Sequence, residues 1–371
     1  MPIHFPVPRN PSPGWLSMVL RDAGKLPIGS VTDINMRPTE AENSLTIFLR
    51  PTYSSEVANA DKTAAPPTRL VLKRSKTDER SMRICANEVG FYRKIGEMAD
   101  HPGMIPPCYA AEVDGESRAS FLLIRDLSET HTPPLNRAQQ ISLTNSVPTL
   151  AHQHGAIDTL AVFHAYWWNR PQLYEGNFTM GCWAHDKTSF KEFLANRIAA
   201  WQRLAAKDGA RLPLKYHAFY DQLFYRLPRV FANTLAPRFE ARRDLTLTHG
   251  DAYFSNFLCP IIPNAAPTYL IDWQTPACEL AAADLVNLLA TCWTKPQRME
   301  GGRETTLLER YYQGLLTHGV QNYTWEALLA DYRTALMFWV LTPVQEGADG
   351  ADWNSWWPRM KCLVSAFEDW D

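Results

Sequence analysis

A chain of 371 residues exceeds the size at which one hydrophobic core stops growing, so two packed units are expected. Its 46% hydrophobic and 20% charged residues fit an ordinary globular protein with ample core. A formal charge of −2 and no long basic run exclude nucleic acid as the main partner.

From the N-terminus, prolines break the segment Met1–Asn10 and no apolar signal-peptide core follows, which predicts a cytoplasmic protein. Gly29–Arg37 and Asn43–Arg50 partly alternate apolar with polar residues, the period of half-buried strands. After a loose segment from Ser54 to Pro67, Thr68–Lys73 reads as a third strand. Asp78–Met98 is helical, with Ile84, Glu88, Phe91, Tyr92 and Ile95 on one face. Cys108–Val113 and Arg118–Asp126 form a hairpin about an Asp114-Gly115 turn. Residues 1–127 are thus expected to be a five-stranded antiparallel sheet with one helix.

Residues 128–371 read as mostly helical, at Thr149–Trp168, Ser189–Ala206, Tyr216–Asn233, Glu279–Trp293, Glu304–His318, Trp325–Thr342 and Trp356–Glu368. Short strands interrupt the helices at Leu245–Thr248, Asn256–Cys259 and Thr268–Asp272. No stretch approaches the ~20 apolar residues that span a bilayer. The seven cysteines are scattered and never spaced C-x-x-C, the pattern of free thiols in a reducing compartment.

The chemistry concentrates in Leu245–Leu258, which contains His249-Gly-Asp251 and Asn256, and in Tyr269–Gln274, which contains Asp272. A strand delivers Asp251 into a loop, Asn256 closes that loop five residues later, and a second strand ends at Asp272. Phosphoryl transfer needs oxygen ligands for the metal ions that neutralise a triphosphate, and a carboxylate to take the acceptor's proton. Asp251, Asn256 and Asp272 supply that set.

The pattern HGD-x4-N followed by IDWQ resembles the aminoglycoside phosphotransferase and choline kinase superfamily. Asn87–Tyr92, Leu160–Trp168 and Gly319–Arg333 look closest to its ecdysteroid-kinase-like, CHK-domain branch. The resemblance implies an α+β, protein-kinase-like fold of two lobes, the N-lobe (1–127) binding nucleotide and the larger helical C-lobe (128–371) carrying the catalytic loop. It implies ATP and Mg2+ as cofactors, Asp251 as catalytic base, and Asn256 and Asp272 as metal ligands. His249 and Asp284 would brace the loop. Lys73, held by Glu88, would contact the nucleotide phosphates, with Arg74 and Lys76 as alternatives for the lysine. Phe121–Leu127, with Ile124 and Asp126, looks like the hinge that reads the adenine edge. The chain departs from kinases in having no G-x-G-x-x-G between its first strands, and it has no Walker A motif. The loop Pro38–Ser44 would cover the phosphates with backbone amides and Ser44.

The resemblance implies a small-molecule hydroxyl as acceptor. Tyr253, Trp273, Trp293, Trp339, Gln345, Glu346, Trp353, Trp356 and Trp357 are candidates to line its site. Flat aromatic surfaces favour a sterol-like or other ring alcohol. A quaternary ammonium held by cation–π contacts, as in a choline or amino-alcohol kinase, is an alternative. So is an aminoglycoside drawn by Glu346, Asp349, Asp352 and Asp371. A nucleotide-binding pseudokinase scaffold is the reading from another class. A metal-dependent hydrolase using His249 and Asp251 would need more histidines at ligand spacing than His152 and His154 offer.

Overall fold

The computed structural model describes residues 7–8, 10–58, 65–143, 147–176 and 178–371. Most of the Met1–Asn10 reading, and residues 59–64 of the loose segment before the third strand, lie outside the described residues. The chain divides into two compact units, one running to His131 together with Tyr269–Thr275, the other comprising Thr132–Thr268 and Pro276–Asp371.

In the first unit Ser12 caps a helix, α1 (Pro13–Asp22), by accepting a hydrogen bond from the Trp15 amide at 3.1 Å, and Pro13 occupies the position where its missing N–H costs nothing. The one-helix expectation is corrected here, because α1 buries Trp15, Leu16, Val19 and Leu20 against the sheet. The sheet comprises β1 (Val31–Glu40), β2 (Ser44–Tyr53), β3 (Leu70–Ser75), β4 (Cys108–Val113) and β5 (Ser120–Arg125), in the order β1-β2-β3-β5-β4 with antiparallel neighbours. A one-turn helix, α2 (Ser55–Ala58), follows β2, and α3 (Glu79–Gly96) starts at its cap Asp78 and buries Cys85, Glu88, Val89, Phe91, Tyr92 and Ile95.

The loop expected over Pro38–Ser44 is also corrected. β1 runs on to Glu40 and pairs Pro38 with Ile47, so residues 41–43 alone make the turn. A proline is tolerated there because β1 is an edge strand. Ser44 begins β2 and is 1% exposed, so its hydroxyl is sealed within the sheet rather than presented by a loop.

Past β6 (His131–Thr132), the second unit is built on α4 (Arg137–Ile141), α5 (Leu150–Trp167), α6 (Lys187–Asp208), α7 (Leu214–Val230) and α8 (Ala236–Ala241). It continues through α9 (Ala282–Leu289), α10 (Lys295–Met299), α11 (Arg303–Thr317), α12 (Trp325–Trp339), α13 (Thr342–Ala348) and α14 (Trp353–Trp370). Gly314 lets α11 lie close on α5, since a Cβ there would meet that of Ala161 at 2.6 Å. The short strands are β7 (Thr179–Met180), β8 (Thr246–Thr248), β9 (Phe257–Pro260), β10 (Tyr269–Leu270, in the first unit) and β11 (Ala277–Glu279). β11 pairs antiparallel with β8 and parallel with β7. The helix expected from Glu279 therefore begins only at Ala282. Among the described residues no helix is long and apolar enough to cross a membrane.

Glu279, at the end of β11, is fully buried. Burial pushes its carboxyl from an ordinary 4.5 up to about 7, against the opposing pull of the Leu280 amide and the thiol and amide of Cys182. Between those two values the folded chain keeps a proton that the unfolded chain has released. The contribution to stability is thus complete below the unfolded value and is lost as pH rises through about 7. In Glu279→Gln this loss should vanish. Urea unfolding from pH 5 to 8 should give a shallower decline for the variant, and parallel curves would remove Glu279 from the pH response.

Candidate active site

Lys73 lies near the end of β3, and the Glu88 side chain points from the buried face of α3. Their charged groups stand 2.6 Å apart, and the same ammonium contacts Oδ1 of Asp272. Burial alone would lower the lysine pKa; the Glu88 and Asp272 carboxylates outweigh it and hold the pKa above its ordinary value. Glu88 is driven upward by its own burial, while Lys73 and the Trp273 amide oppose that rise. An ammonium gripped by two carboxylates makes this a strongly polar spot. Arg74 is directed elsewhere, donating to the Pro8 carbonyl at 3.1 Å.

Asp272 follows β10 with a backbone φ of 69°, the left-handed region that a residue other than glycine enters at a cost of about 1–3 kcal/mol. Neighbours in the first unit hold it there. Trp273 is fully buried, stacks on Phe91 at 4.0 Å and donates its indole N–H to Leu270 O at 3.0 Å. The Leu270 amide in turn donates to Met104 O at 2.9 Å.

The residues expected to form the catalytic loop belong to the second unit. Gly250 adopts φ 78°, which a side chain would resist, between β8 and Asp251. Asp284 of α9, fully buried, accepts from the amides of His249 at 2.6 Å and Gly250 at 2.9 Å, and its Oδ2 lies 3.1 Å from His164 Nε2. His249 is also fully buried, and its Nδ1 accepts from the Asp251 amide at 3.2 Å. Asn256 Nδ2 donates to the Asp251 carbonyl at 2.7 Å and to Asp251 Oδ2 at 3.2 Å. With its nitrogen committed, the Asn256 amide reserves Oδ1 as the acceptor; that oxygen and, in the first unit, the Asp272 carboxylate are each of the hard-oxygen type that magnesium takes. Among the described residues no three His, Cys, Asp or Glu side chains gather as a metal cluster.

The residues expected to form a hinge, Ile124 and Asp126, lie in and beside the sheet. Ile124 of β5 lies opposite Val71 on one side and Cys108 on the other, so its backbone is within the ladder. Asp126 is buried, takes Arg50 at 2.6 Å and the Ser128 amide at 2.8 Å, and pins the chain leaving the sheet.

Most of the aromatic candidates for an acceptor surface are corrected. Trp273 and Trp293 have no exposed surface; the second stacks on Phe254 at 5.5 Å. Trp356 is 1% exposed, and Trp339 donates its indole N–H to Ala283 O at 2.8 Å. Trp353 and Trp357 lie tilted against one another and meet Trp356 edge-on at the start of α14. Sequence reading passed over Arg359 of α14, which contacts Glu346 and hydrogen-bonds the Tyr253 hydroxyl. Burial raises the Glu346 carboxyl, Arg359 opposes the rise, and the charge of Asp251 is felt there as well. Gln345 accepts from Arg197 at 2.7 Å. The acidic tail is likewise engaged: Asp371 binds Arg226 at 2.5 and 2.7 Å, and Asp352 caps α14.

A five-stranded antiparallel sheet with a lysine–glutamate pair, and a helical unit whose HGD loop is braced by a buried aspartate, define the kinase-like class of phosphotransferases. A profile of the ecdysteroid kinase-like family matches residues 40–321, and the chain belongs to that family. It is a phosphotransferase with a hydroxyl acceptor. No curated protein matches it in sequence. Among solved structures, the GDP and kanamycin complex of APH(2")-IIia is similar at 14% identity and TM-score 0.50, over 97% of this chain and 98% of that one. A microcompartment-associated aminopropanol kinase is similar at 11% identity and TM-score 0.50, over 90% of each chain. At these identities the likeness is one of fold.

Proposed function

We propose that the chain is an ATP- and magnesium-dependent kinase that phosphorylates a hydroxyl of an uncharged ring alcohol, sterol-like in shape, a reading supported by its membership of the ecdysteroid kinase-like family and not by the buried tryptophans. The observation that carries the nucleotide part is Lys73 held between Glu88 and Asp272. Glu88 keeps the ammonium extended from β3, where it neutralises phosphate oxygens. Asp272 and Asn256 would hold Mg2+, whose chemistry is to offset the charge on the triphosphate and its leaving group. Asp251, oriented by Asn256, accepts the proton of the acceptor hydroxyl as its oxygen forms a bond to the γ-phosphorus. The bond from that phosphorus to the bridging oxygen breaks, and ADP leaves with the electron pair.

The preference for an uncharged acceptor is supported by the acidic side chains. Glu346 is neutralised by Arg359, and Asp371 by Arg226. An aminoglycoside would need those charges unspent. ADP release measured against sterols, amino alcohols, aminoglycosides and sugars, with Mg2+ and with EDTA, tests the reading. Release stimulated by a sterol-class alcohol only with Mg2+ is expected. Stimulation by amines alone would overturn the acceptor assignment, and metal-independent release would overturn the mechanism.

A further inference from the structure

Gln274 spends its polar groups on an arrangement that the proposed chemistry has not yet used. Its backbone N–H donates to Asp272 O at 2.9 Å, and its Nε2 donates to Asp272 Oδ1 at 2.8 Å. Its Oε1 accepts from Asn43 Nδ2 at 3.1 Å, and its backbone carbonyl accepts from Asn87 Nδ2 of α3 at 3.3 Å. Asn43 is itself fixed in the turn between β1 and β2, where its carbonyl accepts from the Lys76 amide at 3.2 Å and the Cys85 thiol at 3.5 Å. Every partner belongs to the first unit.

The relay has a defined polarity. Asn43 donates to the Gln274 oxygen, which turns the Gln274 nitrogen toward Asp272; the opposite orientation would set a carbonyl oxygen against a carboxylate oxygen. Lys73 and Gln274 therefore both donate to Oδ1 of Asp272. The carboxylate orientation is fixed in a residue whose φ of 69° must be over-determined by its surroundings to persist. The β1–β2 turn contains no glycine, only Ala41, Glu42 and Asn43. A flexible glycine-rich loop is replaced by a short turn tied to the metal strand.

We infer that Gln274 is a positioning residue, which orients the Asp272 carboxylate for the metal and couples it to the β1–β2 turn through Asn43. The inference rests on the reading of Asp272 as a magnesium ligand. Partners that orient metal ligands typically contribute about 10–100-fold in metal affinity. Calorimetric titration of the full chain with ATP, in Mg2+ and in EDTA, separates this role from a merely structural one. Gln274→Met keeps the length without polar groups. It should weaken ATP binding about 10–100-fold in Mg2+ and leave binding in EDTA unchanged. Asn43→Ala should weaken Mg2+-dependent binding in the same direction by less.

If the methionine variant does not fold, Gln274→Glu keeps the length, sets a second carboxylate against Asp272, and should show the same selective loss. Equal losses in Mg2+ and EDTA, or no loss, would overturn the positioning role. Asp272→Asn tells the two claims apart. Loss of Mg2+-dependent binding in that variant but not in Gln274→Met sinks the inference alone. Retention of it in Asp272→Asn sinks the metal reading together with the inference.

Discussion

Asp251→Asn should lower turnover by about 10²–10⁴, the usual cost of losing a positioned base, while ATP affinity and the unfolding midpoint stay at wild-type values. The substitution is nearly isosteric, and the asparagine carbonyl can still accept the 3.2 Å hydrogen bond from Asn256 Nδ2. The bond from Asn256 to the backbone carbonyl at residue 251 does not involve the changed side chain at all. The loop geometry also survives, because the bonds that brace it run from the His249 and Gly250 amides to Asp284. What disappears is the capacity to take a proton from the acceptor hydroxyl. Single-turnover phosphorylation of the best acceptor from the ADP-release screen, beside an ATP titration, distinguishes the outcomes. Turnover within threefold of wild type would remove Asp251 as the base, and a parallel loss of ATP binding would reassign it to the nucleotide.

How far the sequence discloses this site depends on how local each contact is. Lys73 and Glu88 were legible because a lysine near the end of an apolar strand and a glutamate on the apolar face of a helix each need a partner. The strand-loop-strand run from Thr246 to Asp272 was legible because its polar residues sit at fixed offsets within 27 positions. The relay through Gln274 was not, since Asn43 is 231 residues away and an amide can face almost any polar partner. Nor did the chain order reveal that Tyr269–Thr275 packs with the first unit.

Helix α1 did carry a signal, in Ser12-Pro13 followed by apolar residues at 15, 16, 19 and 20, which the reading of strands from Gly29 onward passed over. The first strand was expected to end at Arg37, whereas it runs on through Pro38, which an edge strand accommodates. The tryptophans misled for a different reason. Residue type records aromatic area but not which way it faces, and in a thick helical unit most faces are inward.

Asp284→Ala should cost about 3 kcal/mol or more of unfolding free energy, since it strands two buried polar groups and one half-buried amide at roughly 1–3 kcal/mol each. The residue is fully buried, as are His249 and His164. Deleting its carboxyl leaves the His249 and Gly250 amides without the acceptor that holds them at 2.6 and 2.9 Å. It also removes the partner 3.1 Å from His164 Nε2, whose Nδ1 remains 2.7 Å from the Tyr311 hydroxyl. A native domain has only about 5–15 kcal/mol in hand, so the loss should be plain in a urea titration. Asp284→Asn retains one oxygen but brings an NH2 group toward amides that also donate, and should fall between wild type and alanine. Activity should fall as well, because a shift of about 1 Å in the HGD loop suffices for a 10²-fold loss. The ordering wild type, asparagine, alanine in stability is the outcome that identifies hydrogen-bond loss as the cause. An alanine variant within 1 kcal/mol of wild type would mean that water or a rearranged loop satisfies those amides, and that Asp284 does not hold the loop in place.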